Sequence, residues 1–538
     1  MPRPTTRGPG AADTRARRRA RSLPTFLIAW AIAATIAALW AIATPIAASP
    51  DEPAHVVRAA SVVRGDLLPS GRSGGEDRVL VPAAVADTQL LTCTAFAPDR
   101  PASCQSDVRR HPPGLAEADT SAGRYNPLYY GLVGWPSLIL EGAASLYAMR
   151  IVSGILVSVF TALTATVIGG WRRRLLPTLG LLVAVTPTFM FLGGMVNPNA
   201  LEATATMAAF TAALSLVLHP DPRRTTLLAV VLGGAGAVAA NSRGLSPLWL
   251  AVVLGGVFFV APRPRVWQAL RPASVRIALG VIAAAAVAAV TWTLVAGALP
   301  SPAGTVHYPG VGTSPFAGFV ATVSNTFDYG REMIGLFGWL DTPAPFVVFF
   351  LWSAFVGVGA AAAIILLRRR RRLIAIGGIA TFVALPAVVA GLYVTTGGYI
   401  WQGRYALPLF ACLAILVGSL LPPPRLRTRT LVAVMTAAWG FAQVASFATA
   451  LKRYATGYTS SWVEFAREPL WQPPGGSVGI IALALLVFAA AAVAAGLFAC
   501  SGARPVVSGP PKNPSERTST SAQWAGTAST SMPAEGQA

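Results

Sequence analysis

Long apolar runs alternate with short polar segments along most of the chain. A membrane-crossing helix needs about 20 mainly apolar residues. On that length the pattern predicts twelve spans, at 24–47, 148–170, 175–194, 200–218, 225–240, 245–261, 276–299, 345–367, 373–394, 404–421, 430–450 and 477–499. The connections are unequal. The first, 49–147, is by far the longest, those at 300–344 and 451–476 are moderate, and the others are short. The predicted fold is therefore an all-α polytopic membrane protein with a large first extracytoplasmic loop that contains short helices. A basic segment, 1–23, precedes it, and a tail rich in Ser, Thr, Pro and Gly, 501–538, follows and is expected to be disordered.

Charge fixes the expected sidedness. Only 12% of residues are charged and 54% are hydrophobic, yet the net charge is +21. Soluble domains carry roughly 25% charged residues, so the excess is that of a membrane protein. The arginines cluster between apolar runs: "RARRRAR" before the first span, then "WRRR", "PDPRR", "RPRVWQALRPASVR", "RRRRR" and "RLRTR" after the second, fourth, sixth, eighth and tenth. Every second connection is basic, which places all six clusters, and both termini, in the cytoplasm. No aromatic-basic platform suited to nucleic acid accompanies them. The same count decides "NPLYYGLVGWPSLIL" (126–140), because treating it as a span would put "WRRR" outside. It reads instead as a helix in the outer membrane face. The first span has a basic start and small residues near 47–49, but its apolar run exceeds a signal peptide's core, so it reads as retained.

Polar chemistry is concentrated on the expected outer side. "PDEPAHVVRAASVVRG" opens the first loop and predicts a short amphipathic helix, with Asp51 as N-cap, Pro53 in the first turn and Gly65 at its end. Glu52, His55 and Arg58 are spaced i, i+3, i+6 and are expected on one helix face, where an acid, an imidazole and a guanidinium suit a base and a phosphate clamp. Further polar islands are "GRYNPLYY" (Asn126, Tyr129), "NPNALE" (Asn197), "NSRG", "DYGREMIGLFGWLDTPAP" (Arg331, Asp341) and "GGYIWQGRYALP" (Gln402, Arg404, Tyr405). Asp341 is equally suited to capping the helix that follows. Cys93 and Cys104, eleven residues apart in the first loop, are expected to form a disulfide on an oxidising face.

"PDEPAHVVRA", "RYNPLYY", "NPNALE", "FGWLDTPAP" and "QGRYALP", in this order, resemble the bacterial membrane-protein family catalogued as domain of unknown function 2142, over roughly residues 24–500. Asn199 and the "NSRG" segment depart from that family's expected Asp and Lys. The family in turn resembles the GT-C glycosyltransferases, multi-span enzymes that use lipid-phosphate-linked sugars at the outer membrane face. The resemblance implies a catalytic acid/base at Asp51 or Glu52, just after the first span, with His55 beside it.

The implied donor is a sugar on polyprenyl phosphate, and the implied acceptor is a cell-envelope glycan or lipid at a bacterial plasma membrane. Arginine suits the phosphate, Arg404 first, then Arg331 and Arg58. Asn126, Tyr129, Asn197, Asp341, Gln402 and Tyr405 complete the expected binding set. No nucleotide signature is present. No cofactor is fixed by the sequence; a divalent metal held by Asp51 and Glu52 stays open. Two other readings use the same residues: a transporter or flippase of a lipid-linked sugar, and a non-catalytic envelope-assembly protein.

Overall fold

The computed structural model describes residues 11–69, 71–73, 76–106, 114–298, 308–424 and 428–501. The expected tail, the first ten residues, part of "RLRTR" and part of the 300–344 loop lie outside them.

Each of the twelve predicted spans coincides with a helix or a bent helix pair. The first is α1 (Ala11–Ala43). The first loop then supplies α2 (Glu52–Val62), β1 (Gly71–Ser73), β2 (Glu76–Pro82), α3 (Ala83–Ala86), β3 (Leu115–Thr120) and α4 (Pro127–Gly134). The next spans are α5 (Gly142–Gly169), the pair α6 (Leu175–Ala184) and α7 (Pro187–Gly193), α8 (Pro198–Leu218), α9 (Thr225–Ala240) and α10 (Ser246–Val260). The short α11 (Arg263–Leu270) leads into α12 (Ala273–Val295). The second large loop carries α13 (Pro315–Ser324), α14 (Thr326–Gly335) and a hairpin of β4 (Leu336–Phe337) and β5 (Thr342–Pro343). The remaining spans are α15 (Phe346–Leu366), α16 (Arg369–Gly397), α17 (Leu407–Leu420), α18 (Thr428–Thr456) and α20 (Ser477–Cys500), with α19 (Trp462–Arg467) between the last two.

Among the described residues nine helices are long and apolar enough to cross a membrane, and the α6–α7 pair makes ten. The other two predicted spans, α9 and α10, have 16 and 15 residues. The 67° bend between α6 and α7 has a local cause. Pro187 cannot donate a backbone hydrogen bond and pushes Thr186 out of the helical region, to φ −71°, ψ 164°. The Thr186 side chain then accepts from the Phe189 amide and starts the new helix.

The bundle is held by close helix contacts. α8 is buried on nearly every side and forms its centre. α6 and α17 approach through paired glycines: a Cβ at Gly180 would lie 2.5 Å from the Ala414 carbonyl, and one at Gly418 2.5 Å from that of Leu176. Small residues permit this approach where no hydrophobic effect drives helices together.

The first loop is a compact cap. β1, β2 and β3 form an antiparallel sheet, with Asp77 opposite Thr120 and Pro82 opposite Leu115 at the two ends of the β2–β3 register. Along β2 the buried residues Asp77, Val79 and Val81 alternate with exposed Arg78 and Leu80, the two-residue period of a one-sided sheet. Thr120 Oγ1 donates to the Ala54 carbonyl of α2 (2.8 Å). Arg124 bonds Asp77 (3.0 Å) and the Ala296 carbonyl at the end of α12 (2.8 Å). The cap is thus stapled both to its own helix and to the bundle. Residues 126–140 form α4 and a short 3-10 turn, with Leu128, Leu132, Trp135, Leu138 and Ile139 exposed along them.

The cap and the polar islands meet at one end of the bundle. Asn197 bonds the Pro50 carbonyl, Trp339 that of Ala47, and Asn126 the side chain of Asn241. The arginine clusters 171–174, 220–224, 263–276 and 368–372 follow the opposite ends of the same helices. There Arg370 donates to the Phe259 carbonyl, tying the 368–372 cluster to the end of α10.

Candidate functional site

The start of α2 is where the structure departs most from the expected local geometry. Asp51 precedes the helix, but its side chain makes no cap hydrogen bond. Its backbone is left-handed, φ 60° and ψ 3°, a region that Asp tolerates better than most residues. The side chain, almost half exposed, is turned to Arg404, whose Nη2 donates to Oδ2. α2 is not amphipathic either. Glu52, Pro53 and all residues from His55 to Val62 are buried, because the cap covers what would otherwise be a solvent face.

The three residues expected on one working face are separated by their partners. Glu52 lies 1% exposed in a two-pronged pair with Arg150 of α5, at 2.7 and 2.6 Å, and its Oε1 also accepts from the Val196 amide. Arg150 spends its remaining donors on the carbonyls of Ala41, Thr44 and Pro45. This closed network locks α1, α2, α5 and the start of α8 together. His55 Nδ1 is 2.8 Å from the Tyr130 hydroxyl, and its ring stacks on that of Tyr130. Burial lowers the His55 pKa to about 3, so the imidazole is neutral at pH 7. Arg58 donates to the carbonyls of Asp66, Leu67 and Tyr125 and closes the turn after α2. The possibility that Asp51 and Glu52 share a metal does not fit this arrangement, since each carboxylate faces a different guanidinium. Among the described residues no three His, Cys, Asp or Glu side chains group as metal ligands.

Arg404 is the centre of what remains. It sits in a 3-10 turn, Gly403–Ala406, at the start of α17 and is 3% exposed. Nε and Nη1 are buried without a hydrogen-bond partner, as is Gln402 Oε1. A buried cation with donors unmet is costly, and such a group in a folded protein calls for an explanation. The turn is held by the Gly403 amide, which donates to Glu332 of α14 (2.6 Å). Gly403 is needed there, because a Cβ would be driven into the Tyr329 carbonyl. Burial raises the Glu332 pKa, and the Gly403 amide and Arg404 offset part of the rise.

Beside Arg404 lies a cavity of about 280 Å³. The guanidiniums of Arg404 and Arg243 lie 5.3 Å and 4.5 Å from the Tyr405 ring centre. Arg243 bonds Asn199, and Glu202 accepts from Ser246 (2.6 Å). Tyr125, Asn126, Glu202, Arg243, Trp401 and Tyr405 are among the residues facing the space.

A family described as a predicted membrane protein, DUF2142, matches residues 35–413. The chain belongs to this family. The five motifs therefore pointed to the family that matches. No curated protein matches the chain. Among solved structures it is similar to ArnT from Cupriavidus metallidurans bound to undecaprenyl phosphate, at 15% identity and a TM-score of 0.39, covering 91% of this chain and 78% of that one. The apo state of the same protein is similar at 14% identity and a TM-score of 0.40, covering 88% and 77%. Both likenesses are loose in sequence and in geometry.

The other expected site residues have the following places in the DUF2142 chain. Asn126 caps α4 and faces the cavity; Asn197 caps α8. Tyr129 is buried against Ser153 (2.9 Å). Asp341 pairs with Arg453 (3.2 Å) and accepts from Thr342, which anchors the β4–β5 hairpin rather than capping a helix. Arg331 is exposed, 3.6 Å from Asp328 on its own helix, while its neighbour Glu332 faces Arg404's turn. Cys93 and Cys104 form a disulfide. The loop it closes is clasped by Arg453, which donates to the carbonyls of Thr94, Ala97 and Arg100.

Sequence reasoning passed over Arg150, Arg243, Glu332 and Arg453. Arg150 and Arg453 had a readable signal, since each is an ionisable residue inside or at the end of an apolar helix.

Proposed function

We propose that this protein transfers a sugar from a polyprenyl-phosphate donor to a cell-envelope acceptor on the first-loop face of the membrane, with Asp51 as base and Arg404 as phosphate ligand. The observation that carries this reading is the buried Arg404 that holds Asp51 by one nitrogen and leaves two others unpartnered. An anion brought to Arg404 meets donors already desolvated and already beside a carboxylate.

In the reaction the acceptor hydroxyl attacks the anomeric carbon. The bond from that carbon to the phosphate oxygen breaks, and polyprenyl phosphate leaves. The acceptor proton passes to Asp51. The phosphate gains one negative charge as it leaves, which a fixed guanidinium stabilises most in the transition state. Of the two candidate acids, Asp51 is preferred. Its side chain is partly exposed, whereas the Glu52 carboxylate is enclosed by Arg150 and the Val196 amide. His55, neutral and bonded to Tyr130, would position the start of α2.

Two further observations support the substrate and the side. An apolar cavity of about 670 Å³ between α10, α16 and α17 offers walls for a prenyl chain, and α10 and α16 line the smaller cavity as well. The Cys93–Cys104 disulfide suits an oxidising compartment, with the arginine clusters opposite in the cytoplasm.

The test is transfer of radiolabel from polyprenyl-phosphate-linked sugars to a cell-envelope extract by the purified protein, with release of polyprenyl phosphate. Donor bound but never consumed across a broad panel would favour transport of the lipid-linked sugar instead.

A further inference from the structure

We infer that the cavity beside Tyr405 receives the sugar of the lipid-linked donor as a single neutral monosaccharide ring, with Glu202 and Trp401 selecting it; this rests on the donor reading above.

The lining has the composition that a sugar ring needs. Trp249, Tyr393, Trp401 and Tyr405 present aromatic rings, and Glu202 and Arg243 present the only two charges among the cavity's described lining residues. The rings stand at steep angles to one another: Trp401 is edge-on to Trp249 (6.3 Å, 86°) and to Tyr405 (5.6 Å, 89°). Trp401 is thus held between Trp249 and Tyr405. The face of an aromatic ring is electron-rich and attracts the slightly positive C–H groups of a pyranose or furanose face. A few polar groups in an otherwise apolar wall then fix orientation.

Glu202 supplies that polar group. It is 1% exposed, and its Oε1 accepts from Ser246, which fixes the carboxylate against the wall. Its carboxyl group can hydrogen-bond sugar hydroxyls and is a poorer partner for a sugar's carboxylate than for a hydroxyl.

Position identifies the occupant as the donor's sugar. Tyr405 lines the cavity together with Arg243 and has the Arg404 guanidinium 5.3 Å from its ring centre. A phosphate at Arg404 therefore lies one ring away from the cavity, and a sugar is joined to its phosphate through a single oxygen. Size sets the limit. About 280 Å³ is at or below the roughly 300–1,000 Å³ of pockets that take drug-sized ligands. The volume suits one ring rather than an oligosaccharide.

The experiment is native mass spectrometry of the full chain in detergent. The probes are polyprenyl phosphate, a panel of polyprenyl-phosphate-linked neutral hexoses and pentoses, one linked uronic acid and one linked oligosaccharide. Wild type is expected to hold at least one linked neutral monosaccharide about tenfold more tightly than bare polyprenyl phosphate. Trp401→Ala, the milder Trp401→Phe and Glu202→Gln should reduce that preference while bare polyprenyl phosphate binds within about twofold of wild type, which also reports folding. No preference for any linked sugar, or equal or tighter binding of the oligosaccharide or the uronic acid, would overturn the inference and leave the donor site standing. Failure to bind bare polyprenyl phosphate, by protein that is folded, would overturn both.

Discussion

Arg404 and Asp51 are 353 residues apart in sequence and joined by a hydrogen-bonded ion pair where the cap meets the bundle. The pair links the one exposed acid at the start of the first loop to a cation otherwise short of partners. Arg404→Lys keeps the charge but loses the planar fork and its reach. Polyprenyl phosphate binding should weaken by about tenfold or more, and Arg404→Gln should weaken it further. Equal affinity in wild type and Arg404→Gln, by titration of the purified protein, would remove Arg404 from the phosphate site.

Adjacent acids should behave differently. Glu52→Gln leaves Arg150 buried without its counter-charge, which typically costs about 3–5 kcal/mol. The variant should melt at a clearly lower temperature, whatever its residual activity. Asp51→Asn also leaves a buried guanidinium, Arg404, without its counter-charge, but the lost carboxylate is partly exposed, so this variant should melt less far below wild type than Glu52→Gln. Thermal unfolding in one detergent compares the two directly, and the reverse order would show that the roles are exchanged.

His55 makes stability pH-dependent. Its folded pKa, about 3, lies below the unfolded value of 6.5, because burial opposes the charged form. The unfolded chain therefore binds a proton first as pH falls. This contribution is complete above pH 6.5 and is lost progressively towards pH 3, at up to about 1.4 kcal/mol per pH unit. His55→Gln should flatten the fall in melting temperature between pH 6.5 and pH 4.5. An unchanged slope would show that other groups set it.

The disulfide and Arg453 should act as one unit. Closing so short a loop contributes on the order of 3 kcal/mol. Arg453, fully buried, depends on the carbonyls of that loop. Cys93→Ser with Cys104→Ser should lower the melting temperature. Adding Arg453→Met should lower it by less than the sum of the separate effects, because residues in one network are not additive. Strict additivity would show that the loop and the arginine are independent.

Helix positions were legible because twenty-residue apolar runs and arginine-marked connections are strong, local signals. The span read at 175–194 is in fact broken at Pro187, which the apolar run alone does not reveal. The site was legible only as a set of islands. Asp51 looks like a helix cap in sequence, since nothing nearby reveals that its partner is Arg404. The i, i+3, i+6 spacing of Glu52, His55 and Arg58 suggested one working face, but a helix buried all round has no single working face. Their partners, Arg150, Tyr130 and three loop carbonyls, are set by how the cap seats on the bundle. Arg243 and Glu332 lay inside the islands "NSRG" and "DYGREMIGLFGWLDTPAP" without standing out there, and only the packed structure brings them beside Tyr405 and Gly403.

The most direct test compares Asp51→Asn with wild type in one preparation, measuring donor affinity and the rate of sugar transfer separately. General-base catalysis contributes typically about 10²–10⁴ in rate. The predicted result is transfer slowed by about that factor with donor affinity retained and the fold intact. Transfer at the wild-type rate by Asp51→Asn would contradict the account at its centre.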